Sequence, residues 1–334
     1  MPRELVYQTL EMEKPKRAAR DLWALPWAGI HYPEQLKKIR SDFTSDIKSV
    51  SGFSKKSIVE NGTDWEEGIY TDAWGCEFVN IQRGVIGEVR NPIISDEDWE
   101  DLSKVHFPVE WMEIDKPQIN SYCKENDMFT LSGFCARPFE RLQFLRGTEN
   151  LYMDLIIKPD GMIQFIKKLH QFNLDLMEKW AQTDIDALFM MDDWGAQNNL
   201  LINPEIWVEI FKPMYKDYCD LAKSYHKKIF MHSDGNILKI YPHLIEIGVD
   251  ALNSQIFCMG LENLKQYKGK ITFWGELDRQ HILVDGTLDD VRKAVHSIKE
   301  NLWTDGGVIA QCEFGAGARP ENVYEMFKVW NEII

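Results

Sequence analysis

The chain has 334 residues, 44% of them hydrophobic, which is enough apolar material for a sizeable core in one large domain or two ordinary ones. A net charge of −15 disfavours DNA, RNA and anionic membrane as partners, and no run of roughly 18 apolar residues offers a membrane span. The six cysteines are scattered without a CxxC pair and the N-terminal stretch lacks an apolar signal segment, so the expected setting is reducing and cytoplasmic.

In chain order, the first 20 residues are polar and read as a helical arm on the surface. "DLWALPW" (21–27) is the first strand candidate. Residues 66–108, with "GIYTDAWGCEFVNIQRGVIGEVRNP", read as short strands with tight turns, a hairpin excursion near one end of the fold. From about residue 125, apolar runs alternate with amphipathic helices. The runs are 129–134, 187–193, 228–234, 251–255, 271–277 and 307–314. They do not alternate apolar and polar residues, which implies burial on both faces, as in a parallel sheet. Between them, Met162, Phe165, Ile166, Leu169, Phe172, Leu176 and Trp180 form one stripe at spacings of three and four. Thr287 with Asp290 reads as a near capping box, Pro320 opens the last helix, and Pro213 is expected to kink the helix beginning near Pro204.

Strict strand–helix alternation leaves an open doubly wound sheet or a (β/α)8 barrel. No GxGxxG or GxxxxGK[ST] loop is present. The expectation is therefore an α/β fold: a distorted (β/α)8 TIM barrel forming a single domain over 1–334, with seven of its eight strands visible.

In such a barrel the chemistry sits at the C-terminal strand ends. Here those ends are polar five times over: Asp192–Asp193–Trp194 with Gln197, His232–Ser233–Asp234, Asn253 with Gln255, Glu276, and Cys312–Glu313. Residues i and i+2 of a strand point the same way, so His232 and Asp234 project together. With Cys312 on the closing strand, they form a candidate zinc site of nitrogen, oxygen and sulfur donors with a fourth position open. Gln255, Glu276 and Glu313 remain open as further ligands. Asp192, Asp193 and Glu276 are candidate catalytic acids, with capping of a helix as the plainer role for the Asp192–Asp193 pair. Trp74, Trp194, Gln197 and Gln255 are candidate substrate contacts.

Three stretches carry a family resemblance: "FMHSDGNILKIYPHLIEIGVDALNSQ", "KGKITFWGELDRQHILVDGTLDDVRKAV" and "GGVIAQCEFGAGARPENVYEMFKVW". They resemble the uroporphyrinogen decarboxylase superfamily over roughly 187–330, and the resemblance appears again more weakly in "TDAWGCEF…GEVRNPIISDEDWEDLSKVHFP". The resemblance implies a distorted (β/α)8 barrel and one of two activities. The decarboxylases hold several substrate carboxylates with an arginine-rich N-terminal motif, and the comparable "DLWALPWAGIHYPEQ" has no arginine. The cobalamin-dependent methyltransferases carry a zinc site of His-x-Cys and a Cys on the final strand. This chain matches at His232 and Cys312 and departs at Asp234, a change that makes the metal a harder Lewis acid suited to an oxygen substrate. "DAWGC" and "MDDWGAQ" resemble members associated with corrinoid-dependent O-demethylation.

The expectation is thus a methyltransferase moving a methyl group from a methoxylated aromatic ether to the cobalt of a corrinoid (cobalamin). A partner carrier protein would supply that cofactor, because the Asp-x-His-x-x-Gly pattern of such carriers is absent. Family members pair as dimers, so a homodimer is also implied. Three alternatives stand beside this one: methyl transfer from a methylcorrinoid to a thiol or pterin, a metal-free decarboxylase, and a non-catalytic small-molecule binder.

Overall fold

The computed structural model describes residues 1–334. Eight parallel strands form the central sheet: β1 (Ala19–Ala24), β2 (Ile47–Ser49), β6 (Phe129–Ala136), β7 (Ala187–Met191), β8 (Lys228–Ser233), β9 (Ala251–Ser254), β10 (Thr272–Trp274) and β11 (Val308–Phe314). Their order is β1-β11-β10-β9-β8-β7-β6-β2. The seam between β1 and β2 is closed by Asp46. Its backbone N–H donates to the Arg20 carbonyl at 2.8 Å. Its carboxylate accepts the Arg20 N–H at 2.8 Å and the Arg17 guanidinium at 2.6 and 2.8 Å. The eighth strand, β2, is the one the sequence did not show: it is three residues long with Ile47 its sole apolar member.

The lumen is filled by one or two side chains from each strand, among them Ala19, Ile47, Leu131, Phe189, Phe230, Trp274 and Ile309. Trp274 is the largest, meeting Phe189, Phe230 and Trp23 edge-on. A second, larger core lies between the strands and the surrounding helices. Its longest helical contribution is Asp160–Ala181, whose expected apolar stripe is buried throughout.

The N-terminal segment is a helix, Pro2–Glu11, but it is no surface arm. Val6, wholly buried, belongs to the lumen cluster, with Tyr7 and Leu10 packed against it. Arg3 and Tyr7 both donate to the Asp186 carboxylate at the start of β7, so the helix plugs the amino end of the barrel. The Thr287–Asp290 capping box is complete in both directions. Ahead of Pro213 the helix is wound as a π segment over Trp207–Phe211, which absorbs the hydrogen bond that proline cannot make.

The excursion is a three-stranded antiparallel sheet, β3 (Gly68–Thr71), β4 (Glu77–Asn80) and β5 (Glu88–Val89), and it occupies only part of 66–108. It is pinned to the barrel by Phe78 against Phe144 and by an Asp72–Arg141 ion pair of 2.5 Å. Its tip at 84–86 shares a cavity of about 620 Å³ with Asp234, Arg279 and Glu313, so it roofs the carboxyl end of the barrel.

Candidate functional site

Alternation along each strand decides which polar side chains reach the lumen. On β8, Phe230 is in the lumen cluster, so His232 and Asp234 share its face. On β7, Phe189 and Met191 point inward and bring Asp193 with them. On β11, Ile309 brings Gln311 and Glu313, and Glu276, just past the end of β10, reaches the same mouth, 3.5 Å from Arg279. Asp192, Trp194 and Cys312 fall on the opposite parity.

The inward set converges. His232 Nε2 lies 3.5 Å from Asp193 Oδ1 and 3.6 Å from Asp234 Oδ1. Asp193, His232 and Asp234 together offer three ligand atoms within 4.8 Å of one another. Two backbone approaches build this corner. Asp193 Oδ1 accepts the Asp234 N–H at 2.9 Å, and Gly195 N–H donates to the Asp234 carbonyl at 3.0 Å. Gly235 sits at φ +75°, and a Cβ there would meet the Gly195 carbonyl oxygen at 2.0 Å, so the two loops can touch only as glycines.

Each member is held by a neighbour. His232 Nδ1 lies 2.6 Å from Asn253 Oδ1, and the Trp23 ring packs on its imidazole at 5.0 Å. Gln255 Nε2 donates to Asp234 Oδ1 at 3.4 Å while its Oε1 accepts the Gly235 N–H. Arg279 joins Asp234 Oδ2, Glu313 at 2.9 Å and Glu276 at 3.5 Å. That arginine, in the loop after β10, had no signature in the sequence. Neither did Asn253 as the partner of the histidine.

The electrostatics follow. Burial opposes charge on His232, but the hydrogen bond to Asp193 and the fields of Asp234 and Asp193 outweigh it and lift the imidazole to about 9. Burial alone would raise Asp193, and its hydrogen bond to His232 and the imidazolium charge turn the balance downward. Glu276 is raised to about 8 by burial, only partly relieved by Arg279, and neither of its oxygens has a hydrogen-bond partner. It faces a small cavity of about 110 Å³ shared with Gln197 and Gln255.

The other expected site residues are elsewhere. Cys312 is fully buried in the outer core with Ala310 and Phe314 on its face of β11, so it stands on the far side of the strand from His232 and is not a ligand with it. Its inward neighbour, Glu313, occupies the mouth instead. Asp192 accepts the Phe139 and Glu140 N–H groups at 3.0 and 2.8 Å and the Tyr215 hydroxyl. It therefore caps the Pro138–Arg146 helix from behind the barrel. Trp194 is wholly buried, stacks on Phe139 at 4.0 Å and donates to Tyr215. It is core, not a platform for substrate. Trp74 is buried too, yet it walls a cavity of about 640 Å³ between the excursion and the carboxyl end of β6.

A parallel eight-stranded barrel with its polar side chains gathered at the carboxyl ends defines a TIM-type α/β barrel. The uroporphyrinogen decarboxylase (URO-D) family model matches residues 69–333, and the chain belongs to that family. Among solved structures, a methyltransferase from Methanosarcina mazei matches with a TM-score of 0.71 at 14% identity, over 99% of this chain and 98% of that one. A glycosylated endo-β-1,4-xylanase from Gloeophyllum trabeum matches with a TM-score of 0.47 at 10% identity, over 97% and 99% of the two chains. At 14% identity the likeness to the methyltransferase speaks to the fold alone. No curated protein matches the sequence. No helix is long and apolar enough to cross a membrane.

Proposed function

We propose that the chain is a corrinoid-dependent methyltransferase, an O-demethylase that takes a methyl group from an aromatic ether to the cobalt of a partner protein's corrinoid. The observation that carries the reading is the Asp193–His232–Asp234 group at the barrel mouth. Family membership and the methyltransferase of similar fold agree with it. The decarboxylase alternative fits less well. Asp193, Asp234, Glu276 and Glu313 crowd the mouth, and Arg279 is already engaged by three of them, a poor setting for a substrate with several carboxylates. Methyl transfer to a thiol also fits less well, because no cysteine accompanies the ligand group.

The three residues suit a divalent cation such as zinc. Tetrahedral Zn–N and Zn–O bonds place ligand atoms about 3.3–3.6 Å apart, and His232 Nε2 stands 3.5 and 3.6 Å from the two carboxylate oxygens. Asp234 can serve both roles at once, since Oδ1 faces the imidazole while Oδ2 pairs with Arg279. Bound there, the metal would polarise the ether oxygen as a Lewis acid.

The protein's own groups supply the rest. Glu276, raised to about 8, carries a proton at neutral pH and can deliver it from its carboxyl to the departing aryl oxygen. Arg279 then stabilises the carboxylate left behind, from 3.5 Å. Gln255 keeps Asp234 in place through this change. The roofed opening above Asp234 and Glu313 is where a second protein would present its cobalt. The test mixes the chain with a reduced corrinoid carrier and a panel of methoxyarenes and follows the cobalt spectrum. Methylcobalt should form with at least one ether and be lost in His232→Ala; its absence with every ether overturns the proposal.

A further inference from the structure

The 640 Å³ cavity has the volume of a small-molecule site. Its walls are aromatic: Tyr70, Trp74, Trp111, Phe134 and Trp180 come from the excursion, the segment after it, β6 and the long helix. It ends at Arg137 and Glu140, which also line it. Their charges act on Asp193, and that of Glu140 on His232 as well, so this pair lies both on the cavity wall and within electrostatic reach of the ligand group.

That pair is incompletely satisfied. Arg137 donates to the Met191 sulfur at 3.6 Å, a weak acceptor, and stands 3.9 Å from Glu140 Oε2, too far for a hydrogen bond. Glu140 Oε2 is buried without any donor. The neighbouring arginines differ: Arg141 is paired with Asp72 at 2.5 Å and Arg146 with Asp154 at 2.7 Å. Glu60, at the rim, has Lys56 at 3.3 Å. At this end the cavity therefore presents a guanidinium whose hydrogen-bond acceptor is a weak thioether sulfur, beside a carboxylate oxygen with no donor. A ligand carboxylate would satisfy Arg137 and confront Glu140. An ammonium group would do the reverse, and an ether oxygen can only accept. A hydroxyl accepts and donates through one atom.

We infer that this cavity binds a hydroxylated arene, a phenol, with its hydroxyl bridging Arg137 and Glu140 and its ring among the aromatic walls. The inference rests on the proposed ether-cleaving activity and narrows its substrates to methoxyphenols. It also gives the Arg137–Glu140 pair the task of selecting them.

Isothermal titration of the full chain with three probes tests it: 2-methoxyphenol, 1,2-dimethoxybenzene and 2-methoxybenzoate. Losing a hydrogen bond to charged partners costs about tenfold or more in affinity. The methoxyphenol should therefore bind at least about tenfold more tightly than the other two. Arg137→Met and Glu140→Leu should each shrink the preference over dimethoxybenzene to about threefold or less. Equal affinities in the unaltered chain, tightest binding of the benzoate, or a preference that survives in two folded variants would each overturn the inference. The unaltered chain decides the matter even where a variant does not fold. No corrinoid is present, so a chain that selects methoxyphenol but yields no methylcobalt sinks the demethylase reading and leaves the cavity assignment standing. Conversely, methylcobalt formed equally well from dimethoxybenzene sinks the cavity assignment alone.

Discussion

Asn253 fixes which nitrogen of His232 faces the barrel mouth. One end of the Asn253 amide meets the Trp274 carbonyl oxygen, which can only accept, so that end is the NH₂ group. The other end, Oδ1, is therefore the atom 2.6 Å from His232 Nδ1, and Nδ1 must donate to it. Nε2 is left as the nitrogen that gives up its proton, and it is the one aimed at Asp193 and Asp234. A cation would take the place of that proton. Asn253→Leu should lower metal affinity by roughly 10- to 100-fold, as read by competition with a chelator. Asn253→Asp, which keeps the acceptor, should retain more affinity than Asn253→Leu. Equal losses in the two variants would reduce Asn253 to a packing residue.

Cys312 offers a sharp contrast. Its parity on β11 places it in the outer core, beyond reach of His232. Cys312→Ser should leave metal stoichiometry unchanged and cost about 1–3 kcal/mol of stability, because a hydroxyl is buried where the thiol packed. His232→Ala and Asp193→Asn should empty the site. Elemental analysis of the three purified variants separates the outcomes, and loss of metal in Cys312→Ser would show that sulfur is a ligand after all.

That contrast also shows where the sequence stops being legible. The strands and the polar residues at their ends could be read because an apolar run that turns polar is visible in one dimension. The eighth strand could not, since Ile47–Ser49 is too short to show a period. Parity could not either. On β11 Gln311 and Glu313 alternate with Ala310, Cys312 and Phe314, but a strand buried on both faces carries no local sign of which face looks into the lumen. The same ambiguity on β7 made Asp192 and Trp194 look like partners of Asp193. Arg137, Arg279 and Asn253 gain their roles from groups in other elements, and no local spacing announces such pairings.

Asp192 is a structural carboxylate. It accepts two backbone N–H groups of the Pro138–Arg146 helix as well as the Tyr215 hydroxyl. Burial pushes its carboxyl well up, against the lowering effect of these donors. Asp192→Ala leaves those donors buried and unpaired, at a cost of about 2–4 kcal/mol. Denaturant melts should show that loss. Asp192→Asn keeps an acceptor and should cost less. Metal content should persist in either folded variant. Full stability in Asp192→Ala would overturn the capping role.

Glu276 ties pH to both stability and turnover. Its carboxyl titrates at about 8 in the fold against an ordinary value of 4.5, so the folded chain holds this proton more tightly than the unfolded chain. Between those two values unfolding releases a proton, and stability from this group is fullest below about 4.5 and drains away as pH rises to about 8. Glu276→Gln cannot ionise and escapes the loss. The melting temperature of Glu276→Gln relative to the unaltered chain should therefore climb steadily from pH 5 to pH 8.5. Ether cleavage by the unaltered chain should fall above about pH 8 as the acid is lost. In Glu276→Gln that alkaline limb should vanish and kcat should drop by about 10²- to 10⁴-fold. A melting difference that stays flat with pH would mean the carboxyl is already ionised in the fold, and it could then donate no proton to a leaving oxygen.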